Sequence, residues 1–313
     1  MASKYNIIQY RPEEVEDIRK EFNLDTEEKR EKAYKIIEEW LLKEDHLMKK
    51  TYSKDYLERC LITSKGSIER TKLQIDKICT FRTLLPQYFQ VSNLKESVLM
   101  DFLDKCNVGY ATKLTPEYYR VVILKIKPYI KVKSSDFENL HKFFALVKEF
   151  LKSNDYNKGF IFIGDTLDAN TADIFSKLDF VELQRFLPVL TEGLGTKIKG
   201  IIFLTGSKFI EGFVRMIKPL FKEKIRSRIH VATNKDSLKS FVPEDILPIE
   251  YGGTEKPLDD LCQDLKETLQ TQEVQDLLRE MNAAKTDETK RRVDKFNDQY
   301  MGMPGSFRTL SLD

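Results

Sequence analysis

A chain of 313 residues with 41% hydrophobic side chains has enough apolar material for one large core or two modest ones, which excludes a disordered or fibrous protein. Its 52 basic and 50 acidic residues nearly cancel, so a uniformly basic nucleic-acid coat is excluded and any electrostatic function must come from local clustering. Cys60, Cys79, Cys106 and Cys262 lack CxxC spacing, which predicts free thiols and no structural metal. No apolar leader and no run of about eighteen apolar residues is present, which predicts a cytoplasmic protein without a membrane span.

The first predicted helix covers residues 26–44, where Ala33, Ile36, Ile37, Trp40 and Leu41 recur at three- and four-residue spacing behind an N-cap at Asp25 or Thr26. Two more follow over residues 54–63 and 67–83, the latter carrying Ile68, Ile75, Ile78 and Cys79 on one side before Pro86 interrupts the pattern. Residues 1–92 therefore read as a small all-helical unit. The pattern changes at residues 119–126 (YRVVILKI), which are short and β-branched and predict a strand. Residues 135–151 return to a helix with Phe137, Leu140, Phe144, Val147 and Leu151 in phase. The runs GFIFI at 159–163 and GIIFL at 200–204 predict strands buried on both faces, with helices between and after them. Strand alternating with helix predicts an α/β domain over residues 93–257, built on a mixed and largely parallel sheet. A last helix is expected over residues 258–281 within a C-terminal segment of residues 258–313, whose end from residue 302 has no period.

No catalytic constellation is predicted. His46, His141 and His230 lie far apart and outside HExxH or GxSxG contexts, so each reads as structural. The TGSK stretch at 205–208 departs from GxxxxGK[ST] in its glycine spacing, and Gly193, Leu194 and Gly195 precede a strand where a dinucleotide loop would follow one. Residues 197–228 are different. Lys197, Lys199, Lys208, Arg215, Lys218, Lys222, Lys224, Arg226 and Arg228 stand there against Glu211 and Glu223, interleaved with Phe203, Phe209, Phe213, Met216 and Phe221. An anion-attracting surface joined to an apolar one fits an anionic bilayer better than a nucleic-acid groove, so no nucleic-acid partner is expected.

The heptapeptide LPIEYGG at 247–253 resembles the LPxEYGG signature that closes CRAL-TRIO lipid-binding domains. Ile217, Lys218, Pro219, Leu220 and Phe221, followed by Lys224, Arg228 and Ile229, are similar to the family's IKPFL..K...RI stretch. Residues 197–201 (KIKGI) resemble its strand entry. Trp40, Leu41, Leu57, Leu61 and the helix that follows resemble its three-helix N-terminal unit, so the likeness spans about residues 25–255. The resemblance implies the CRAL-TRIO lipid-binding fold, with a mobile gate helix at about residues 208–218 bearing Phe209, Phe213 and Met216. It implies a ligand pocket lined by Phe160, Phe162, Phe186, Val189, Leu190, Leu194, Ile198 and Ile201, and a phosphoinositide-binding set of Lys197, Lys199, Lys224 and Arg228.

Four departures accompany it. LITSK at 61–65 replaces an FLR-type segment and leaves Lys65 as a shifted substitute for arginine, and the Asp-x-x-Gly turn reads DTLD at 165–168. Leu194 and Gly195 replace an aromatic-proline pair, and Thr196 stands where the phospholipid-exchanging branch carries a glutamate. The implied function is non-enzymatic and needs no cofactor: a monomeric carrier of one small tocopherol-, retinoid- or carotenoid-like ligand, docking reversibly on phosphoinositide-containing membranes. Exchange of phosphatidylinositol or another phospholipid, and a protein-interaction module with a vestigial pocket, are the alternatives.

Overall fold

The computed structural model describes residues 4–90 and 97–292, so the boundary expected at residue 92 and the tail beyond residue 292 lie outside the described residues. Four helices come first: α1 (Glu14–Glu21), α2 (Glu27–Lys43), α3 (Lys54–Thr63) and α4 (Ile68–Leu84). Each of the last three starts where a hydroxyl can replace the missing intrahelical acceptor. Thr26 accepts from the Lys29 amide at 3.3 Å, and Ser53 and Ser67 accept from the Tyr56 and Arg70 amides. Helix α1 escapes the periodicity reading because its eight residues carry only Val15 and Ile18 as apolar anchors.

The sheet has five strands in sequential order among the described residues. After α5 (Ser97–Lys105), β1 (Cys106–Tyr110) runs antiparallel to β2 (Tyr119–Ile126). Helix α6 (Ser134–Asn154) then crosses over to β3 (Gly159–Asp165), which lies parallel to β2. Two short helices, α7 (Thr171–Ser176) and α8 (Phe180–Pro188), lead to β4 (Ile198–Leu204), and α9 (Ile210–Ile217) and α10 (Glu223–Arg226) lead to β5 (Ile229–Ala232). These last pairings are also parallel. The sheet is thus mixed and largely parallel, with helices on its faces. Strands β1 and β5 are not legible as strands from pattern: β1 is CNVGY, with an asparagine and a glycine in five residues. Gly109 is there because a β-carbon would lie 2.5 Å from Leu258 Cδ1 of the next helix, α11 (Leu258–Gln270).

The single helix expected over residues 258–281 is two. Thr271 adopts an extended backbone (ψ 144°) between α11 and α12 (Gln272–Asn282), which lets α11 cover β1 while α12 turns back onto α6. The buried positions recur at three and four residues up to Leu269 and resume only at Val274, so the apolar stripe changes face at the break. The N-terminal helices share their core with the sheet layer. Ile37, Leu57, Cys60, Ile78 and Phe81 pack in one cluster with Tyr156, Phe186, Val189, Leu194 and Met281. Buried Arg82 of α4 is ion-paired with Glu149 of α6 and donates to the Ala284 carbonyl at 3.2 Å.

Two polar clusters tie the layers together. Arg120 of β2 and Asp155, both fully buried, form a bidentate pair at 2.6 and 3.1 Å, and Arg120 also donates to the Ala111 and Thr112 carbonyls. The LPIEYGG segment is a clasp. Tyr251 donates to Asp165 at the end of β3 at 2.8 Å, Glu250 accepts from the Leu258 amide that opens α11, and Gly252 takes a left-handed turn (φ 73°). At Gly253 a side chain would collide with the Leu247 carbonyl. No helix among the described residues is long and apolar enough to cross a membrane.

Candidate functional site

Two concavities lie side by side. The first is a cavity of about 260 Å³ between one face of the sheet, α6, α7, α8 and α9. Its floor is Val122, Leu124, Phe162, Ile198, Ile201 and Phe203 from β2, β3 and β4. Helix α6 adds Phe137, Leu140, His141 and Phe144, and the opposite side is closed by Phe175, Phe186, Leu187, Leu190, Phe213 and Phe221. Walls of this composition hold a ligand by burial and shape, with few polar groups to orient it.

Of the pocket residues expected from sequence, Phe162, Phe186, Leu190, Ile198 and Ile201 line this cavity, and Phe160, Val189 and Leu194 do not. Residues 189–193 wind as a π-type turn in which the Leu194 amide bonds the Val189 carbonyl at 2.8 Å. Positions five apart then stack, so Val189 and Leu194 both turn into the cluster shared with α4 while Leu190 faces the cavity. Phe160 shares a sheet face with Phe162 but lies under α6, where the Lys148 ammonium sits 4.0 Å from its ring centroid.

Lys148 is itself fully buried, and burial pushes its amine from the ordinary 10.5 down to about 7. Unfolded chains hold that proton up to about pH 10 whereas the folded protein releases it near pH 7. This residue therefore costs the fold stability below about pH 10, and that cost shrinks as pH rises across the interval, by up to about 1.4 kcal/mol per unit. Lys148→Met is expected to remove that slope and raise stability at pH 6. Denaturant midpoints of both proteins at pH 6 and pH 9 check this, and an unchanged pH dependence in the variant would refute it.

Helix α9 forms one wall of the cavity. Ile210, Phe213 and Ile217 form its inward stripe, and Phe213 stacks on Phe175 with centroids 3.7 Å apart and meets Phe203 edge-on at 5.6 Å. The other two expected gate residues point outward: Phe209 is 70% and Met216 59% exposed. Such exposure of large apolar side chains beside Lys208, Arg215 and Lys218 costs solubility unless another surface covers them.

The second concavity is a cleft of about 820 Å³ that brings together Lys197, Lys199, Lys224 and Arg228, the four cations expected from sequence. Lys65, Arg70 and Lys77 from the N-terminal helical unit, with Lys158 and Lys222, join them. Lys222 belongs to the basic cluster read from residues 197–228, whereas nothing in the local pattern of Arg70, Lys77 and Lys158 says that α4 and the β2 to β3 crossover face β4. Glu192 holds Lys77 at 2.7 Å and Lys222 at 3.0 Å, and Glu21 holds Lys158 at 2.5 Å. Among the described residues no carboxylate pairs with Lys65, Arg70, Lys197, Lys199, Lys224 or Arg228. Burial first, then the neighbouring cations, holds Lys197 and Lys199 below the ordinary lysine range. A β-bulge aims Lys199: the β3 to β4 register passes from Phe160 opposite Ile198 to Ile161 opposite Gly200, leaving Lys199 as the extra residue. The cleft can bind a multiply charged anion. It is separated from the cavity by Leu187, Ile198 and Phe221, which line both.

Residues 104–253 match the CRAL/TRIO domain. Among curated proteins the chain is 24% identical over 234 residues to the alpha-tocopherol transfer protein-like protein of Homo sapiens, covering 71% of this chain and 68% of that protein. It is 25% identical over 237 residues to the Mus musculus counterpart, covering 71% and 67%. Clavesin-1 of Xenopus laevis is 33% identical over 85 residues, 27% of this chain and 26% of that protein. The crystal structure of Sfh5 superposes on 85% of this chain and 99% of its own, at a TM-score of 0.49 and 14% identity. The five strands and the closing clasp all fall within the matched residues, so residues 104–253 of this chain form a CRAL/TRIO domain.

Proposed function

We propose that this protein carries one small lipophilic molecule of tocopherol, retinoid or carotenoid type in the apolar cavity and exchanges it at phosphoinositide-containing membranes, to which the basic cleft docks. The observation that carries this reading is the juxtaposition of an aromatic-walled cavity, closed by a helix, with a cation-lined cleft across a wall of only three side chains. Cations near an anionic leaflet contribute about 1 kcal/mol each, and insertion of Phe209 and Met216 adds roughly 1.5–3 kcal/mol apiece. Together they give reversible attachment of a monomer from the cytoplasm. Release of the cargo then requires α9 to swing and the Phe175–Phe213 stack to part, with no bond made or broken. The relatives named for tocopherol transfer support the cargo class.

Native mass spectrometry of the purified protein, before and after incubation with vesicles containing tocopherol, a retinoid and phosphatidylinositol bisphosphate, tests this reading. A one-to-one apolar adduct is the expected result. A phospholipid adduct in its place would assign the protein to phospholipid exchange, and no adduct of any kind would leave the interaction module as the surviving alternative.

A further inference from the structure

The three parallel strands that floor the cavity end at one edge of the sheet. Lys125 stands opposite Asp165 and Asp165 opposite Leu204, so the chain leaves β2, β3 and β4 at one level, with β2 and β4 about 10 Å apart. The basic cleft belongs to the other edge. Lys158 precedes β3 and Lys197 precedes β4, both seven-residue strands, which puts those cations roughly 20 Å from the first edge. What leaves β2 is the segment of residues 127–133, KPYIKVK. Pro128 fixes the backbone and Tyr129 turns left-handed (φ 63°), the pattern of a turn whose second corner favours glycine or asparagine. Tyr129 is 100% exposed and Ile130 37%, while Val132, two residues on from Ile130, is buried in the cavity wall. Lys127, Lys131 and Lys133 surround this apolar tip, and among the described residues no carboxylate pairs with any of the three. Asp136, the next acid along the chain, is taken by Lys105 at 2.6 Å and by the Lys133 amide at 2.7 Å. Beyond the same edge, after β4, come Lys208 and the exposed Phe209.

We propose that residues 127–133 are a bilayer anchor separate from the basic cleft: Tyr129 and Ile130 enter the interface of an anionic leaflet, and Lys127, Lys131 and Lys133 meet its charge. This adds a second contact surface to the docking proposed above and rests on the reading that the protein works at membranes. A tyrosine has an apolar body and a polar tip and settles at headgroup level, and lysines beside it are drawn to anionic lipid. A protein partner fits the tip poorly, because two side chains on a turn offer far less than the about 800 Å² that each side of a stable protein interface buries. A leaflet needs no such area. Within the molecule the left-handed tyrosine has no packing return, since its ring lies wholly in water. Seating the tip in the leaflet brings the end of the chamber lined by Ile126, Val132 and Thr166 to the lipid surface.

All four native cysteines are buried, so Tyr129→Cys supplies one accessible thiol for an environment-sensitive fluorophore on the full chain. With vesicles of phosphatidylcholine and phosphatidylserine, with and without phosphatidylinositol bisphosphate, its emission is expected to shift to the blue and to be quenched by brominated acyl chains. The double variant Tyr129→Asn, Ile130→Ser suits a left-handed turn at least as well as the wild type, so its urea midpoint should not fall. Its binding to the same vesicles is expected to weaken about tenfold. A loss of less than about twofold overturns the anchor and leaves docking through the cleft standing. So does a fluorophore that stays in water while the protein sediments with the vesicles, which would give the tip to a protein contact. Failure of the wild type to sediment with any of these vesicles overturns the anchor and the membrane reading together.

Discussion

Arg120→Met is expected to lower the unfolding free energy by about 3–5 kcal/mol, the range found when one member of a buried pair is removed and the other is left charged in the interior. Asp155 would keep its hydrogen bonds from Tyr10 at 2.7 Å and Asn157 at 2.9 Å but lose both arms of the guanidinium, and the Ala111 and Thr112 carbonyls would lose their donor. The arginine holds Asp155 below the ordinary carboxylate range against the opposing effect of complete burial, so its removal also lets that carboxyl rise. The pair joins the start of β2 to the end of α6 and, through Tyr10, to the N-terminal segment, so the loss should appear as one cooperative shift of the whole urea transition. A cost under 1 kcal/mol would mean that Asp155 finds another partner or takes up a proton without penalty.

The second large effect concerns the cleft. Replacing Lys197, Lys199, Lys224 and Arg228 together by alanine removes four cations, each worth about 1 kcal/mol near an anionic leaflet, and is expected to weaken binding to phosphatidylinositol bisphosphate vesicles about a thousandfold. Vesicle sedimentation at fixed salt measures it, and a loss of less than tenfold would place docking on another surface. The wild type should also bind such vesicles more tightly as pH falls. Lys197 and Lys199 sit below the ordinary lysine range, and an arriving polyanion offsets the crowding of cations and raises them, so binding takes up protons. The quadruple variant, lacking both amines, should lose that dependence.

The residues that announced themselves in the sequence are those whose environment is set locally. Helix α3 and strand β2 fall on the predicted residues 54–63 and 119–126, because one has a serine cap and an apolar phase and the other a dense β-branched run. The cations of residues 197–228 were legible as a cluster because they crowd one stretch of chain. What escaped is what depends on pitch and on distant partners. A π-type turn moves Val189 and Leu194 out of the cavity while leaving Leu190 in it, and a bulge turns Lys199 outward. Neither leaves a mark in residue type. Arg70 and Lys77 reach the cleft only because α4 packs against the turn before β4.

The wall shared by the two concavities has a thermodynamic consequence. Leu187, Ile198 and Phe221 cannot shift for an occupant on one side without changing the space on the other. If an anion in the cleft alters the affinity for cargo by some factor, the cargo must alter the affinity for that anion by the same factor, because the two routes around the cycle end in the same state. A donor membrane and an acceptor membrane could then be told apart by what the carrier already holds. A loaded protein and an empty one would rank the same leaflets differently, and direction would enter transport as a difference in residence times.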